Sequence, residues 1–116
     1  MRHLKKKVTL DRKSGPRKAL LKSLATSLIL YEKIRTTAAK AKAVRPSVEK
    51  MITLAKNPTV QVRRELLRKL YVEKAVKKIL EVLGPKYQSR KGGYTRTIKI
   101  GPREGDGANI VQIEFV

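Results

Sequence analysis

Positive charge is the property that most constrains how this chain folds and what it binds. The 116 residues include 29 Lys and Arg against nine Asp and Glu, which gives a formal net charge of +20 at pH 7. Small domains ordinarily carry net charges of about 2–8, and a larger charge repels itself and weakens the compact state. We therefore expect a partner that neutralises it, and nucleic acid is the densest cellular polyanion. The alternative is an excess of Lys that only keeps the protein soluble.

Residues 1–15 are predicted to form a basic arm outside the folded core. Residues 1–18 contain eight basic side chains and a single acid, Asp11. Their few large apolar residues do not offset the cost of ordering the backbone, roughly 1–2 kcal/mol per residue. We expect the arm to be extended or disordered until it lies on a partner. Residues 16–116 have the size of a single domain.

The composition argues against a catalytic or membrane-spanning protein. Without cysteine there is no disulfide, no thiolate nucleophile and no zinc ribbon. The only histidine, His3, lies in the arm, where nothing holds it as a general base or metal ligand. The longest apolar stretch, residues 19–31, is interrupted by Lys, Ser and Thr, and a membrane span needs about 20 apolar residues. We expect no enzyme activity, cofactor, metal, small-molecule substrate or membrane contact.

The basic start leaves one processing alternative open. Ala41-Lys42-Ala43 resembles a signal-peptide cleavage site, and an acid-poor start with arginines is also typical of organellar transit peptides. The apolar run before that site is short, however, and Glu32 and Lys33 follow it at once. A reducing, cytoplasmic location fits the absence of cysteine better.

Apolar spacing predicts helices in the first two thirds of the domain. One helix is expected over residues 16–32, a short strand over residues 33–36, and a second helix capped by Thr36 or Thr37. Pro46 should kink or break that second helix, because proline removes one backbone hydrogen bond. Residues 60–83 keep a helical period, and we expect two helices that part near residues 71–73. Gly84-Pro85 should stop the last one.

Alternating residues predict strands in the last third of the domain. Residues 94–100 and 110–116 alternate in polarity and flank a Gly-rich turn, which indicates an antiparallel hairpin. Ile98 and Ile113 should face the helices or the partner strand. An isolated hairpin is only marginally stable, so it must pack against the helices. The predicted fold is α+β in two layers, with the order helix, strand, three helices, two strands.

The segment from Lys86 to Arg96 is the strongest candidate for nucleic-acid contact within the domain. It combines basic groups for phosphate, two tyrosines that could stack on bases, and the pair Gly92-Gly93, which would let a backbone approach closely. The alternative is a solvated loop with Tyr94 packed in the core. Because the sequence shows no compact helix-turn-helix motif or zinc finger, irregular RNA is favoured over a DNA groove.

The same segments carry a family resemblance that extends over the whole chain in order. The chain resembles the bacterial large-subunit ribosomal protein seventeen family in residues 1–3, 10–17, 34–42, 52–56, 84–87, 92–96 and 105–114. It departs from the usual pattern at Pro16, where His is usual, in the arm near Lys6-Lys7, where Gly is usual, and at Ala39 and Asn109, where Pro is usual. These departures affect local contacts of the arm and leave the resemblance intact.

The resemblance implies a structural protein of the large ribosomal subunit in the cytoplasm. It implies binding to 23S rRNA near the nascent-chain exit region, beside neighbouring ribosomal proteins, and the same order of helices and strands. Together with the charge pattern, it gives the predicted RNA-binding residues: Arg2, His3, Lys5, Lys6, Lys7, Arg12, Lys13, Arg17, Lys18, Lys22, Arg35, Lys40, Lys42, Arg90, Lys91, Tyr94 and Arg96.

Two other function classes remain as alternatives. A nucleoid-type protein that binds DNA without sequence preference would carry a similar charge, and sedimentation with ribosomal subunits at moderate salt distinguishes it. A nuclease or RNA-modifying enzyme would need acid–base or metal groups that the sequence does not supply, and a turnover assay on RNA with and without divalent metal tests for one.

Phosphate contacts should dominate the affinity for RNA. If roughly 6–10 phosphates are neutralised, binding should fall by about 10³–10⁵ between 50 and 200 mM salt. Replacing Lys5, Lys6 and Lys7 with Gln should flatten the dependence of log affinity on log salt concentration, measured by filter binding. An unchanged slope would mean that the arm does not touch the RNA backbone.

Overall fold

The helices and strands of the computed structural model follow the predicted order. The structure describes residue 10 and residues 13–116, so most of the predicted arm, including Arg2, His3, Lys5, Lys6, Lys7 and Arg12, lies outside the described residues. The elements are α1 (Ser14–Tyr31), β1 (Lys33–Thr37), α2 (Ala38–Ala55), α3 (Val60–Lys69), α4 (Glu73–Lys78), β2 (Thr95–Pro102) and β3 (Asn109–Phe115).

Local signals set the ends of the first helices. The left-handed backbone of Glu32, with φ of 65°, ends α1, and the Glu32 N–H donates to the Leu28 carbonyl at 2.7 Å. The Thr37 hydroxyl accepts from the Lys40 N–H at 3.4 Å and caps α2, one of the two predicted capping positions. Of the predicted kink or break at Pro46, the break does not occur, because α2 continues through Pro46. Pro46 is exposed, so the carbonyl that loses its partner lies on the solvent side of the helix.

The helix that begins with α4 continues past Gly84-Pro85, where the sequence predicted its end. After Lys78 it becomes a π-helical turn over Ile79–Leu83 and then a last α-helical turn over Gly84–Lys86. The Gly84 N–H bonds the Ile79 carbonyl five residues back, which is the π-helical spacing. A Cβ on Gly84 would lie 2.6 Å from the Ala55 carbonyl oxygen. Glycine therefore lets this turn press against the end of α2.

The three described strands form an antiparallel sheet in the order β1-β3-β2. Ile113 of the central strand β3 pairs with Ile34 of β1 on one side and with Thr97 of β2 on the other. The inner face of β3 buries Val111, Ile113 and Phe115 against α2. On its own inward side, α2 buries Ala41, Val44, Val48, Met51, Ile52 and Ala55. The core thus lies between the helical layer and the sheet and consists mainly of aliphatic side chains.

Ile98 does not face the helices, which corrects the prediction from the sequence. Paired residues on neighbouring strands share a face, and Ile98 pairs with Gln112 on the outer side of β3. Its side chain is 41% exposed, whereas Ile113 is fully buried. The alternation over residues 94–100 correctly indicated a strand, but it did not reveal which face the helices cover.

The two isoleucines therefore provide a matched test of the sheet's orientation. Ile113→Ala should lower the free energy of unfolding by about 2–5 kcal/mol, since it leaves a cavity in the core. Ile98→Ala should change it by less than about 1 kcal/mol, because most surface substitutions have small effects. Urea unfolding monitored by circular dichroism measures both, and equal losses would contradict the observed register.

Candidate nucleic-acid interface

Internal ion pairs engage most of the acidic side chains that the structure describes. Their N–O distances lie between 2.6 and 3.9 Å, and the pairs are Glu32–Lys78, Glu49–Arg45, Glu65–Lys69, Glu73–Arg63, Asp106–Arg103 and Glu114–Arg96. Six of the eight described acids are thereby paired within the fold, and Glu81 and Glu104 are the two others. The Lys and Arg in excess of them have no carboxylate to neutralise them and face solvent or an outside anion.

Arg103 is one of the basic residues with a structural task. Its guanidinium donates two hydrogen bonds to the Asp106 carboxylate, at 3.2 and 2.6 Å, across the turn between β2 and β3. Asp106 also accepts from the Ala108 N–H at 3.1 Å. The hydrogen bond from Arg103 is the main reason that the pKa of Asp106 falls to about 2. This basic residue fixes the hairpin turn.

Two predicted RNA-binding residues, Arg35 and Arg96, lie on the outer face of the sheet. Arg35 is opposite Gln112 and Arg96 is opposite Glu114, so both project from the side away from the helices. Gln112 and Arg96 both donate to the Glu114 carboxylate, and these hydrogen bonds lower the pKa of that group. Arg35 keeps only a long hydrogen bond of 3.5 Å to Gln112 and is exposed.

The loop from Tyr87 to Tyr94 is tied to the end of α2 and leaves two basic side chains exposed. The Lys56 ammonium donates to the Arg90 carbonyl, and the Gln88 amide donates to the Lys56 carbonyl at 2.7 Å. Gly92 and Gly93 have φ values of 83° and 62°, a left-handed conformation that glycine adopts without strain. The glycine pair thus turns the chain. The side chains of Arg90 and Lys91 are exposed, and the Arg90 guanidinium donates to the Gly93 carbonyl at 3.3 Å.

Tyr94 belongs to the core, which corrects its predicted role as a base-stacking residue. The side chains of Tyr87 and Tyr94 are 3% and 1% exposed, and their rings lie 5.3 Å apart. The Tyr87 hydroxyl donates to the Val116 carbonyl at 2.6 Å, and the Tyr94 hydroxyl shares a hydrogen bond of 3.1 Å with Thr53. Because both rings are covered and both hydroxyls are satisfied, neither ring offers a face to a base. Of the two sequence interpretations, core packing is the one that fits the structure.

Lys56 lies close to the Tyr94 ring and affects its hydroxyl. Its ammonium is 4.9 Å from the ring centroid, within the range of a cation–π contact. Burial raises the pKa of Tyr94, but hydrogen bonds from Lys56 and Thr53 and the Lys56 charge outweigh burial, so the pKa lies below its ordinary value. Lys56 thus joins the loop, the ring and α2.

Lys18 and Lys22 of α1 line a cleft with two lysines that the sequence analysis did not select. Lys50 of α2 and Lys69 of α3 complete this set, which we call the lysine cleft, with a volume of about 370 Å³. The Lys22 ammonium lies 4.8 Å from the centroid of the Tyr71 ring. No residue lining the cleft is acidic among those that the structure describes.

The other predicted RNA-binding residues that the structure describes lie at the starts of α1 and α2. Lys13 is exposed just before α1, and Arg17 is half-buried in the first turn of that helix. Lys40 is half-buried and Lys42 is exposed in the first turns of α2. The predicted RNA-binding residues that the structure describes therefore fall into four groups. They lie on or just before α1 (the α1 side), at the start of α2, on the outer face of the sheet, and in the loop at Arg90.

Lys50, Lys56 and Lys69 are the basic residues that sequence reasoning missed. The helical periods of α2 and α3 placed them near the buried stripes, but no local motif distinguishes them from solvated lysines. Their significance comes from packing between elements, which brings Lys18 and Lys69 to one cleft although 50 residues separate them.

Two other kinds of site have no counterpart in the described part of the chain. Residues 13–116 contain no helix both long and apolar enough to cross a membrane. Within the same residues, no three His, Cys, Asp or Glu side chains are grouped so as to hold a metal ion.

Comparisons with known proteins all point to one family. A model of the family described as Ribosomal protein L17 matches residues 20–116. The protein named Large ribosomal subunit protein bL17 from Natranaerobius thermophilus is 53% identical over 107 residues, which cover 92% of this chain and 95% of that protein. Its namesake from Solibacter usitatus is 50% identical over 116 residues, covering 100% and 77%. The one from Thermomicrobium roseum is 46% identical over 116 residues, covering 100% and 99%.

Substitutions in the loop should affect stability differently at its exposed basic residues and at its buried aromatic residues. Arg90→Ala with Lys91→Ala should leave the melting temperature nearly unchanged, because exposed side chains contribute little to stability. Tyr94→Ala should lower the free energy of unfolding by about 3–5 kcal/mol, the usual cost of removing a buried aromatic ring. Thermal melting of both variants is the measurement, and early melting of the Arg90/Lys91 variant would assign those side chains a structural role.

Proposed function

Because the chain belongs to the ribosomal protein L17 family, we propose that it binds 23S rRNA through its basic surfaces and supports the architecture of the large ribosomal subunit. It is a structural protein of the large ribosomal subunit and not an enzyme. The proposed contacts are made by the arm, the α1 side, the start of α2, the outer sheet face and the loop at Arg90 and Lys91.

One observation favours RNA as the direct partner. The described acids are mostly occupied by internal ion pairs, while exposed basic residues such as Lys18, Lys42 and Lys91 contact none of them. Lysines that merely solubilise a protein are commonly interspersed with acids. A surplus spread over several faces instead suits an RNA that surrounds the protein and presents phosphates from several directions.

The location within the subunit is part of the same proposal. The family resemblance supports a place near the nascent-chain exit region, beside other proteins of the large subunit. The chain's own residues support it only indirectly, since a protein held at many phosphates is suited to fastening separate rRNA segments. The nucleoid-type alternative shares the charge but has no support from the family relationship.

The loop residues offer a direct test in assembled subunits. Large subunits reconstituted with the Arg90→Ala/Lys91→Ala variant should contain less of this protein than those made with the unaltered chain, because two phosphate contacts are lost. The control is Lys74→Ala/Lys77→Ala, which removes the same charge from the exposed face of α4. Sucrose-gradient sedimentation followed by quantitative mass spectrometry measures occupancy.

Two outcomes would count against the proposal. If the unaltered chain failed to sediment with large subunits at moderate salt but bound duplex DNA under the same conditions, the nucleoid-type function would be favoured. If both double variants lost occupancy equally, net charge alone would explain the effect and the loop would have no specific role.

A further inference from the structure

A second depression adjoins the lysine cleft at Lys50 and Lys69. These two lysines line both cavities, and the second has a volume of about 560 Å³. The walls of the second depression also include Pro46, Glu49, Thr53 and Leu54 of α2, and Gly92 and the nearly covered Tyr94 of the loop. The two cavities lie next to each other along the exposed side of α2 and share these two lysines, and we call the pair the α2 groove.

The end of the groove at α1 suits a phosphate group. Four lysines from three helices surround it, and Lys69 alone has a carboxylate partner, Glu65 at 3.6 Å. Lys18 and Lys50 make no ion pair with any described residue. Leu21 and the buried Met51 line the same cleft, and low-dielectric walls strengthen the field that the ammonium groups exert on an anion.

The other end of the groove is different in character. Pro46 and Leu54 give it apolar walls, and the Thr53 hydroxyl is already engaged with Tyr94. Its one acid, Glu49, is taken up by Arg45 at 3.6 Å and by the Thr95 hydroxyl at 3.1 Å. Lys50 and Lys69 also line this end and attract a phosphate, whereas Pro46 and Leu54 form an apolar surface against which the flat face of a base would be desolvated.

A cationic end joined to an end with apolar walls matches the chemistry of one nucleotide unit, in which an anionic phosphate is joined to a flat base. In a duplex the bases are stacked inside and the exterior presents sugar and phosphate, so a duplex would leave the apolar end empty. Unpaired RNA can splay a base away from its neighbours while its backbone stays on a basic surface.

We propose that the α2 groove holds an unpaired segment of RNA, with backbone phosphate at Lys18 and Lys50 and a base in the depression beside Pro46 and Leu54. This inference rests on the proposed function and specifies which structural class of RNA one of its surfaces binds.

A tethered cleavage probe tests the proposal in complete subunits. Because the chain has no cysteine, Ser47→Cys places a single thiol at the lysine cleft, and iron(II)–EDTA attached there generates hydroxyl radicals locally. In large subunits reconstituted with this protein, cuts in 23S rRNA should concentrate at unpaired nucleotides. The control, Lys77→Cys on α4, carries the same probe away from the groove. Cuts confined to paired helices, or no stronger than those of the control, would overturn the proposal.

Failure of this test is distinguishable from failure of the proposed function. Each labelled protein is first shown to sediment with the large subunit. If a labelled protein is incorporated but the probe at residue 47 cuts no unpaired RNA, the groove assignment is wrong while the ribosomal function stands. If neither labelled protein nor the unaltered chain is incorporated, the proposed function itself fails.

A second measurement isolates Lys18 and Lys50, two of the three cleft lysines that have no carboxylate partner. Lys18→Gln/Lys50→Gln should reduce the slope of log affinity for protein-free 23S rRNA against log salt by about 1.4, since each lost single-strand phosphate contact contributes about 0.7. Lys74→Gln/Lys77→Gln should leave the slope nearly unchanged. The melting temperature of the first variant should stay level or rise, because the substitutions relieve repulsion among clustered ammonium groups. Equal slopes for the two variants, or early melting of the first, would contradict the proposal.

Discussion

The buried stripe of α2 is the constraint on which the other surfaces depend. Val44, Val48 and Ile52 are fully buried, and α2 packs against α1, α3 and all three described strands. Because this helix is fixed on its inner side, its outer side holds Lys50, Thr53 and Lys56 in defined positions relative to α1, α3 and the loop at Arg90. One face of α2 thus packs in the core, and its other face lines the α2 groove.

The chain's charge is not balanced within the fold. Exposed ion pairs are typically worth about 0–1 kcal/mol each, so the six internal pairs fix local geometry more than they offset repulsion among the remaining cations. The free protein therefore carries an electrostatic cost that an anionic partner removes. Any ligand that binds only the folded state also stabilises that state, so RNA binding and stability are coupled in this protein.

The sequence was sufficient for the order of elements and insufficient for their three-dimensional relationships. Periodicity located α1, the separation of α3 from α4, and both strands of the hairpin, because these are local properties of the chain. The inward face of β2 was assigned wrongly, since Ile98 sits on the side that the helices leave uncovered. The continuation through Gly84 was missed, because it depends on a close approach to Ala55. The lysine cleft could not be predicted, as its members come from three helices and share no motif.

The position of β3 between β1 and β2 has a consequence for biosynthesis. Arg35 and Gln112, which face each other across the sheet, are 77 residues apart in sequence. During translation β1 emerges early and has no strand to pair with until β3 follows, while α1 and α2 can already contact each other. Non-local pairing of this kind slows folding, and an unpaired strand edge invites wrong associations. The sheet is therefore completed late in synthesis, and a chain shortened before residue 109 would expose to water the part of α2 that packs against β3.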